Sequence, residues 1–291
     1  MNLSTLQTVN GHFTISAFDH RSSMEEMLSL ASLSEEKRFE VMVRLKSLLM
    51  RVFSPLSSAV LTDPMYGKLT VQDKATECGL LLSLEESGYS GSKTDVPILI
   101  EDWGILGIKG YQAAAKMLLY FNPLEEHAGA KLQMIKRLMT EAKAEGVPFL
   151  LEIVLHPLES ESEFKQRWHE LQVESVQLFS GWCDVLKLEY PGLYAVDDSE
   201  AAQQCHDITM AALSTPWIIL SRGMEYDRFE NSLRISMAEG AKGFAVGRAV
   251  WQEMDEVVDK EHVEDSFDRI EHFLYSVAVP RLKKLIEIVE N

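Results

Sequence analysis

The chain has 291 residues, 46% of them hydrophobic and 25% charged, the make-up of a soluble folded protein with a sizeable core, and this excludes a disordered or low-complexity chain. A formal net charge of -17 disfavours a nucleic-acid or anionic-membrane surface, so an anionic substrate has to be gripped by a local cluster of Lys, Arg and backbone N–H groups against the overall field. Cys78, Cys183 and Cys205 are widely spaced with no CxxC pair, which argues against a disulfide framework or thiolate zinc site and for reduced core thiols.

The N-terminal stretch MNLSTLQTVNGHF lacks a charged n-region and an apolar h-region. No run approaches the ~18 apolar residues of a membrane span, so the cytoplasm is the expected compartment. From residue 13 onward one pattern recurs: a short apolar run, a polar residue, a loop, then an amphipathic segment. The runs are FTISAFD (13–19), SAVLTD (58–63), GLLLSLE (79–85), AAKMLLYF (114–121), PFLLEIV (148–154), CDVLKLE (183–189), PWIILS (216–221) and KGFAVGR (242–248). The turn-rich segment 83–97 reads as a long loop after the third run. A helix is predicted over 125–145, with Leu132, Ile135, Leu138 and Met139 at helical spacing and Gly146 as its stop. Ser160 to Glu163 form a capping-box pattern ahead of a helix carrying Phe164, Trp168, Leu171 and Leu178. Another helix is predicted from near Asp227 through Phe229, Leu233 and Met237 to Gly240, and the stretch 262–289 is helical by pattern. Runs that are apolar on successive residues and alternate with helices indicate parallel strands buried on both faces. Eight of them read as a single (β/α)8 TIM barrel domain over residues 1–291, with a doubly wound sheet as the structural competitor.

In such a barrel the active site lies where the strands end. The polar residues at those ends are, in order, Asp19, Asp63, Glu85, Lys116, Glu152, Lys187, Ser221 and Arg248. Lys187 stands inside the apolar run CDVLKLEYPG, where burying an ammonium costs several kcal/mol unless it is paired or loses its proton. A stem lying along apolar surface with its amine reaching water is the bland alternative. Crowded by other cations and partly desolvated, the amine is expected to be free part of the time. It can then condense with a ketone to an iminium that accepts electrons as a neighbouring C–C bond breaks. Glu152, one strand away, is expected to move the protons, and Asp19 to hold the substrate hydroxyl. IILSRGM (218–224) and GFAVGRAVW (243–251) match loops after strands 7 and 8 that cradle an anion with glycine N–H groups.

Several stretches together resemble the Schiff-base (class I) aldolase family that includes tagatose-1,6-bisphosphate aldolase and sulfofructosephosphate aldolase. They are AFDHR (17–21), ESGY with the following Thr and Pro (86–97), IEDWGILGIKGYQAAAKMLLYFN (100–122), PFLLEI (148–153), DVLKLEYP (184–191), WIILSRG (217–223) and GFAVGRAVW (243–251). The resemblance runs over nearly the whole chain. It implies Lys187 as the Schiff-base lysine, Glu152 as proton carrier, and Asp19 and Lys116 at the sugar hydroxyls and carbonyl. Ser221, Gly223, Gly247 and Arg248 would hold an anionic group, and His20, Arg21, Asp63, Glu189 and Arg222 complete the expected substrate-binding set. His20 stands where relatives carry Gln, and Arg222 and Met224 stand where the family's strand-7 loop has a small residue and Val. Arg222 either strengthens phosphate binding by a bidentate contact or fills the space of the C1 phosphate. If it fills that space, the reading leans to a 6-deoxy-6-sulfofructose transaldolase that passes dihydroxyacetone to glyceraldehyde 3-phosphate and releases sulfolactaldehyde. The alternative is an aldolase acting on sulfofructose 1-phosphate or on tagatose or fructose 1,6-bisphosphate.

Two other classes compete. Asp63, Glu85, Asp102, Glu152 and Glu189 are enough carboxylates for a Mg²⁺-dependent lyase with Lys187 as base. A barrel that keeps its sugar site without turnover would be a sensor. The eight histidines show no H-x-H or H-x-x-x-H pair, against a zinc site. No cofactor or metal is expected, and the expected partner is a small sugar phosphate or sugar sulfonate, with no nucleic acid and no membrane. Assembly into a homo-oligomer is left open.

Overall fold

The computed structural model describes residues 2–87 and 92–291. Its strands are β1 (Phe13–Ala17), β2 (Ala59–Thr62), β3 (Gly79–Ser83), β4 (Ala114–Phe121), β5 (Phe149–Leu155), β6 (Val185–Glu189), β7 (Trp217–Leu220) and β8 (Gly243–Val246). Each pairs in parallel with the next and β8 pairs with β1, closing the ring in chain order, so the barrel expectation holds against the doubly wound sheet. All eight apolar runs of the sequence became strands. The helices are α1 (Ser22–Met27), α2 (Glu35–Phe53), α3 (Ile105–Gly110), α4 (Ala128–Glu145), α5 (Glu161–Phe179), α6 (Asp198–Ala212), α7 (Tyr226–Ala238), α8 (Arg248–Trp251), α9 (Phe267–Phe273) and α10 (Val279–Glu290). The alternation breaks once. Between β2 and β3 stands a 3₁₀ run, Gly67–Asp73, instead of an α-helix.

Parallel strands covered by helices on one face and closed on themselves at the other bury nearly every residue, which is why the runs are apolar throughout rather than alternating. Among the described strand residues of the barrel, only Leu118 and Tyr120 of β4 are partly exposed, and both line the cavity at its mouth. Inside the ring Ile15, Leu61, Leu81, Leu150, Val185 and Ile218 pack together, closed from below by Leu6 of the 3₁₀ turn Leu3–Leu6. Side chains two residues apart on a strand share a face. The inward rows therefore continue from Ala114 to Lys116, from Leu150 to Glu152 and from Val185 to Lys187, and apolar packing gives way to charge one layer up. Closure is tight at the β8–β1 seam. Gly243 has φ +130°, and a Cβ there would lie 1.9 Å from the Phe13 carbonyl oxygen, so only glycine lets these strands pair.

The helix signals behave as the sequence predicts. Ser160 and Glu163 make the reciprocal capping box of α5, whose Phe164, Trp168 and Leu171 are buried. In α4 Ile135 and Leu138 are buried and Gly146 ends the helix. The start of α4 differs from the expected 125 because Glu125 is drawn out of helical geometry into a buried cluster, pairing with Lys131 (2.8 Å) and His156 (2.9 Å). Residues 263–290 are helical almost without break, with a π turn at Leu274–Ala278 joining α9 to α10. Of the loop expected over 83–97, residues 88–91, which include Gly88 and Tyr89 of the ESGY stretch, lie outside the described residues. No helix among the described residues is long and apolar enough to cross a membrane.

Candidate active site

β5 and β6 pair so that Glu152 and Lys187 are register partners with both side chains inside the ring. Lys187 is 4% exposed and its Nζ lies 3.0 Å from Glu152 Oε2. Lys116 of β4, 2% exposed, approaches the same oxygen at 3.1 Å and also pairs with Asp19 at 2.8 Å and Glu85 at 2.7 Å. The cation expected beside Lys187 is thus Lys116, and one carboxylate oxygen stands between the two ammonium groups. Burial raises the Glu152 carboxyl, but Lys116 and Lys187 outweigh it and hold it below the ordinary range. Asp19 follows the same logic, raised by burial and pulled far lower by Lys116 and Lys187. Lys116 is held well above its ordinary value because Asp19, Glu152 and Glu85 overcome the desolvation that would lower it. Its ammonium is therefore a fixed charge, and Lys187 alone of the two has a single carboxylate partner among the described residues.

Asp19, His20 and Arg21 follow β1, and their backbone is pinned from behind. Lys46 of α2, fully buried, donates to the carbonyl oxygens of Phe18 and His20 and pairs with Asp63 at 2.9 Å. This corrects the reading of Asp63 as substrate-binding. Its side chain is fully buried, one oxygen taken by Lys46 and the other by the backbone N–H groups of Met65 and Tyr66, and it does not reach the cavity. The strand-end rule failed there because β2 ends under α2 rather than at open solvent. Arg21 donates to the Glu85 carbonyl at 2.8 Å. His20 meets Trp251 edge-on at 5.3 Å, and burial pushes its imidazole down to about 3, so it faces the cavity neutral.

Ser221, Gly223, Gly247 and Arg248 come together on the β7–β8 side of the cavity. Gly223 has φ +75°, and a Cβ there would stand 3.4 Å from Arg248 Cζ, so a bare backbone lies open beside a guanidinium. Arg222 turns away from them. Its guanidinium pairs with Glu189 of β6, whose other oxygen accepts from the Leu155 N–H at 2.8 Å at the end of β5. Glu189 is 1% exposed and is not on the cavity wall, so its expected contact with substrate is replaced by support of Arg222. Burial pushes its carboxyl up to about 7 against the pull of Arg222 and the Leu155 N–H.

Asp19, Lys116, Glu152, Lys187 and the loops after β7 and β8 line one cavity of about 390 Å³. Among the described residues its wall carries six cations, Arg21, Lys93, Lys116, Lys187, Arg222 and Arg248, against four carboxylates, Asp19, Glu85, Glu86 and Glu152. These groups leave an excess of two positive charges in a chain of net charge -17. Sequence reading missed Lys46 and Lys93, which lie outside the strands, and Tyr120, one residue before the end of β4. It named Glu85 as a strand-end carboxylate and a possible Mg²⁺ ligand, whereas Glu85 holds Lys116 and accepts the Leu118 N–H at 3.1 Å. Of the carboxylates weighed for Mg²⁺, Asp63 pairs with Lys46, Glu85 and Glu152 both pair with Lys116, and Glu189 pairs with Arg222; among the described residues no three His, Cys, Asp or Glu side chains converge as a ligand set.

Comparison with known proteins places this geometry in context. A family model described as DeoC/LacD family aldolase matches residues 13–253. The tagatose 1,6-diphosphate aldolase of Staphylococcus epidermidis is 31% identical over 274 residues, covering 86% of this chain and 84% of its own. Tagatose 1,6-diphosphate aldolase 2 of Streptococcus pyogenes serotype M1 is 32% identical over 269 residues, covering 84% and 81%. Among solved structures, a Schiff-base-forming fructose-1,6-bisphosphate aldolase superposes with a TM-score of 0.63 at 16% identity, over 98% of this chain and 96% of that one. An archaeal fructose-1,6-bisphosphate aldolase with its lysine bound to the carbinolamine gives 0.64 at 15% identity, over 98% and 97%. At such identity these two likenesses speak for the fold alone.

Proposed function

From a chain that belongs to the DeoC/LacD aldolase family, we propose a Schiff-base aldolase in which Lys187 condenses with the C2 ketone of a ketose phosphorylated at C1. The observation that carries this reading is the buried Lys187–Glu152 pair, register partners 3.0 Å apart on the floor of a cationic cavity. Approach of the ketone lets the pair share one proton, freeing the amine lone pair to attack C2. Glu152 then returns the proton to the carbinolamine oxygen, water leaves, and an iminium forms. As the C3–C4 bond breaks, its electrons move to the iminium nitrogen to give an enamine, and the C4 hydroxyl proton passes to Asp19 as the aldehyde departs. Protonation of the enamine at C3 and addition of water at C2 release the second product and restore the amine. Lys116, held charged by three carboxylates, orients Asp19 and Glu152 and offers a cation to the hydroxyls.

A C1 phosphate is favoured because Gly223, Gly247 and Arg248 line open space that the Arg222 side chain, paired with Glu189, does not fill. Dihydroxyacetone transfer from 6-deoxy-6-sulfofructose has one observation on its side, that Arg222 lines the cavity next to Gly223 where the resembling family has a small residue. The test is borohydride trapping with intact-mass measurement, using fructose 1,6-bisphosphate, tagatose 1,6-bisphosphate, sulfofructose 1-phosphate and sulfofructose. Adducts with the C1-phosphorylated sugars, lost in Lys187→Met, are expected. Trapping of sulfofructose alone would give the transaldolase, and trapping of none by folded protein would sink the imine mechanism.

A further inference from the structure

The end of the barrel where the strands begin carries apolar groups that serve neither the core nor the site at Lys187. A cavity of about 690 Å³ opens there beside the ends of α4 and α5, with Leu3, Met139, Pro148, Trp182, Cys183 and Lys143 among its lining. Trp182 is 41% exposed, and the Lys136 Nζ of α4 lies 4.4 Å from the centre of its ring. One helix further round the barrel, Leu213 follows α6 and is 82% exposed, and Met210, one turn earlier, is 64% exposed. Two hydrogen bonds tie these features together. Ser180 Oγ donates to the Ala212 carbonyl, and the Gly181 N–H donates to Thr215 Oγ1 at 2.8 Å. An apolar projection and an apolar cavity thus lie side by side on one face.

Leu213 is strained as well as exposed. Its φ of +54° with ψ of -113° is a conformation that a bulky L-residue rarely adopts, and glycine would remove both the strain and the apolar surface. A side chain kept at such a cost points to a use for it.

Charge identifies what the face fits. α6 carries Asp198, Glu200 and Asp207 and no Lys or Arg, whereas α4 presents Lys136 and Lys143 beside the cavity. α5 stands between the two helices in the order of the ring, and its C-terminal end is where the cavity and Leu213 meet. A two-fold axis through that end lays α4 of one copy against α6 of the other, twice over, and carries each Leu213 to the other copy's cavity. Two chains of net charge -17 repel in general, and this face is one where they can meet with opposite signs paired.

We propose that the chain forms a two-fold dimer through this face, with Leu213 and Met210 of each copy seated in the Trp182 cavity of the other and Lys143 of one facing Asp207 of the other. The cavity at Lys187 lies at the opposite ends of the strands, so both mouths stay open in the dimer and the interface does not depend on the aldolase reading.

The test is sedimentation equilibrium over the micromolar range on the wild type, Leu213→Gly, Lys143→Glu and Lys143→Glu/Asp207→Lys, with circular dichroism on each sample to confirm folding. The wild type should have the mass of two chains. Leu213→Gly, which suits the local φ, should keep the fold and raise the dimer Kd by about tenfold or more, as expected for loss of an interface anchor. Lys143→Glu should also weaken the dimer, and adding Asp207→Lys should restore it, because the swap re-forms the pair across the axis. A wild type that stays monomeric, or a dimer that both single variants leave intact, would overturn the interface. A double variant no tighter than Lys143→Glu would overturn the placing of α4 against α6.

Discussion

Lys116 and Lys187 reach the same oxygen of Glu152, yet their surroundings assign them different work. Lys116 has three carboxylates and stays charged, while Lys187 has one carboxylate, a partner that can take and return a proton. Lys187→Met should therefore abolish trapping and turnover but leave the fold intact, because Glu152 keeps Lys116; circular dichroism and intact mass on one sample check both. Glu152→Gln removes the proposed proton carrier and keeps the shape. It should lower kcat by roughly 10²- to 10⁴-fold, the usual range for general acid–base catalysis, while single-turnover trapping still yields adduct slowly. A Gln variant within a few-fold of wild type would assign the proton steps to another group.

At the scale of elements, β1 and α2 meet through Lys46. With no exposure to water it bonds the carbonyls on both sides of Asp19 and neutralises Asp63, so the peptide carrying Asp19 is set by helix packing rather than by the loop itself. Lys46→Met fills similar volume but strands the Asp63 charge, and breaking such a buried pair should cost about 3–5 kcal/mol, read from urea denaturation. Lys46→Met/Asp63→Leu, which removes both charges, should recover much of that loss; failure to recover would assign it to packing. The β8–β1 seam makes a sharper demand. A methyl group at Gly243 cannot be placed beside Phe13, so Gly243→Ala should yield little folded protein.

Over the whole molecule, the carboxylates pull stability in two directions with pH. Asp19 and Glu152 have folded values below the ordinary ones, so they stabilise above about pH 4.5, and that contribution is lost as pH falls through the folded values. Glu189 does the opposite. Raised to about 7 from 4.5, it keeps in the folded state a proton that the unfolded chain has released, so its contribution falls as pH rises through that window. Glu189→Gln should flatten the change in urea midpoint between about pH 5 and about pH 7.5. The groups facing Glu189 are Arg222, the Leu155 N–H and, with like charge, Glu152. An unaltered slope would mean that Arg222 holds Glu189 ionised throughout.

The sequence by itself determined the eight strands and their burial. Runs apolar on consecutive residues and separated by amphipathic segments need a parallel sheet covered on both faces, and local caps such as Ser160–Glu163 act within a few residues. The pairing of β8 with β1 that chooses the ring over a doubly wound sheet came from the tertiary structure. The sequence also exposed Lys187, because an ammonium in the middle of an apolar run is costly enough to be conspicuous. Only the tertiary structure decided which charges share a space. Asp63 and Lys116 both sit in or just after strands, but Asp63 ends beneath α2 and Lys116 inside the barrel. Arg222 could point either way from its loop until Glu189, buried on the neighbouring strand, attracted it. Burial and strand register belong to the ring as a whole, and charge pairing across strands depends on distances that spacing along one chain does not contain.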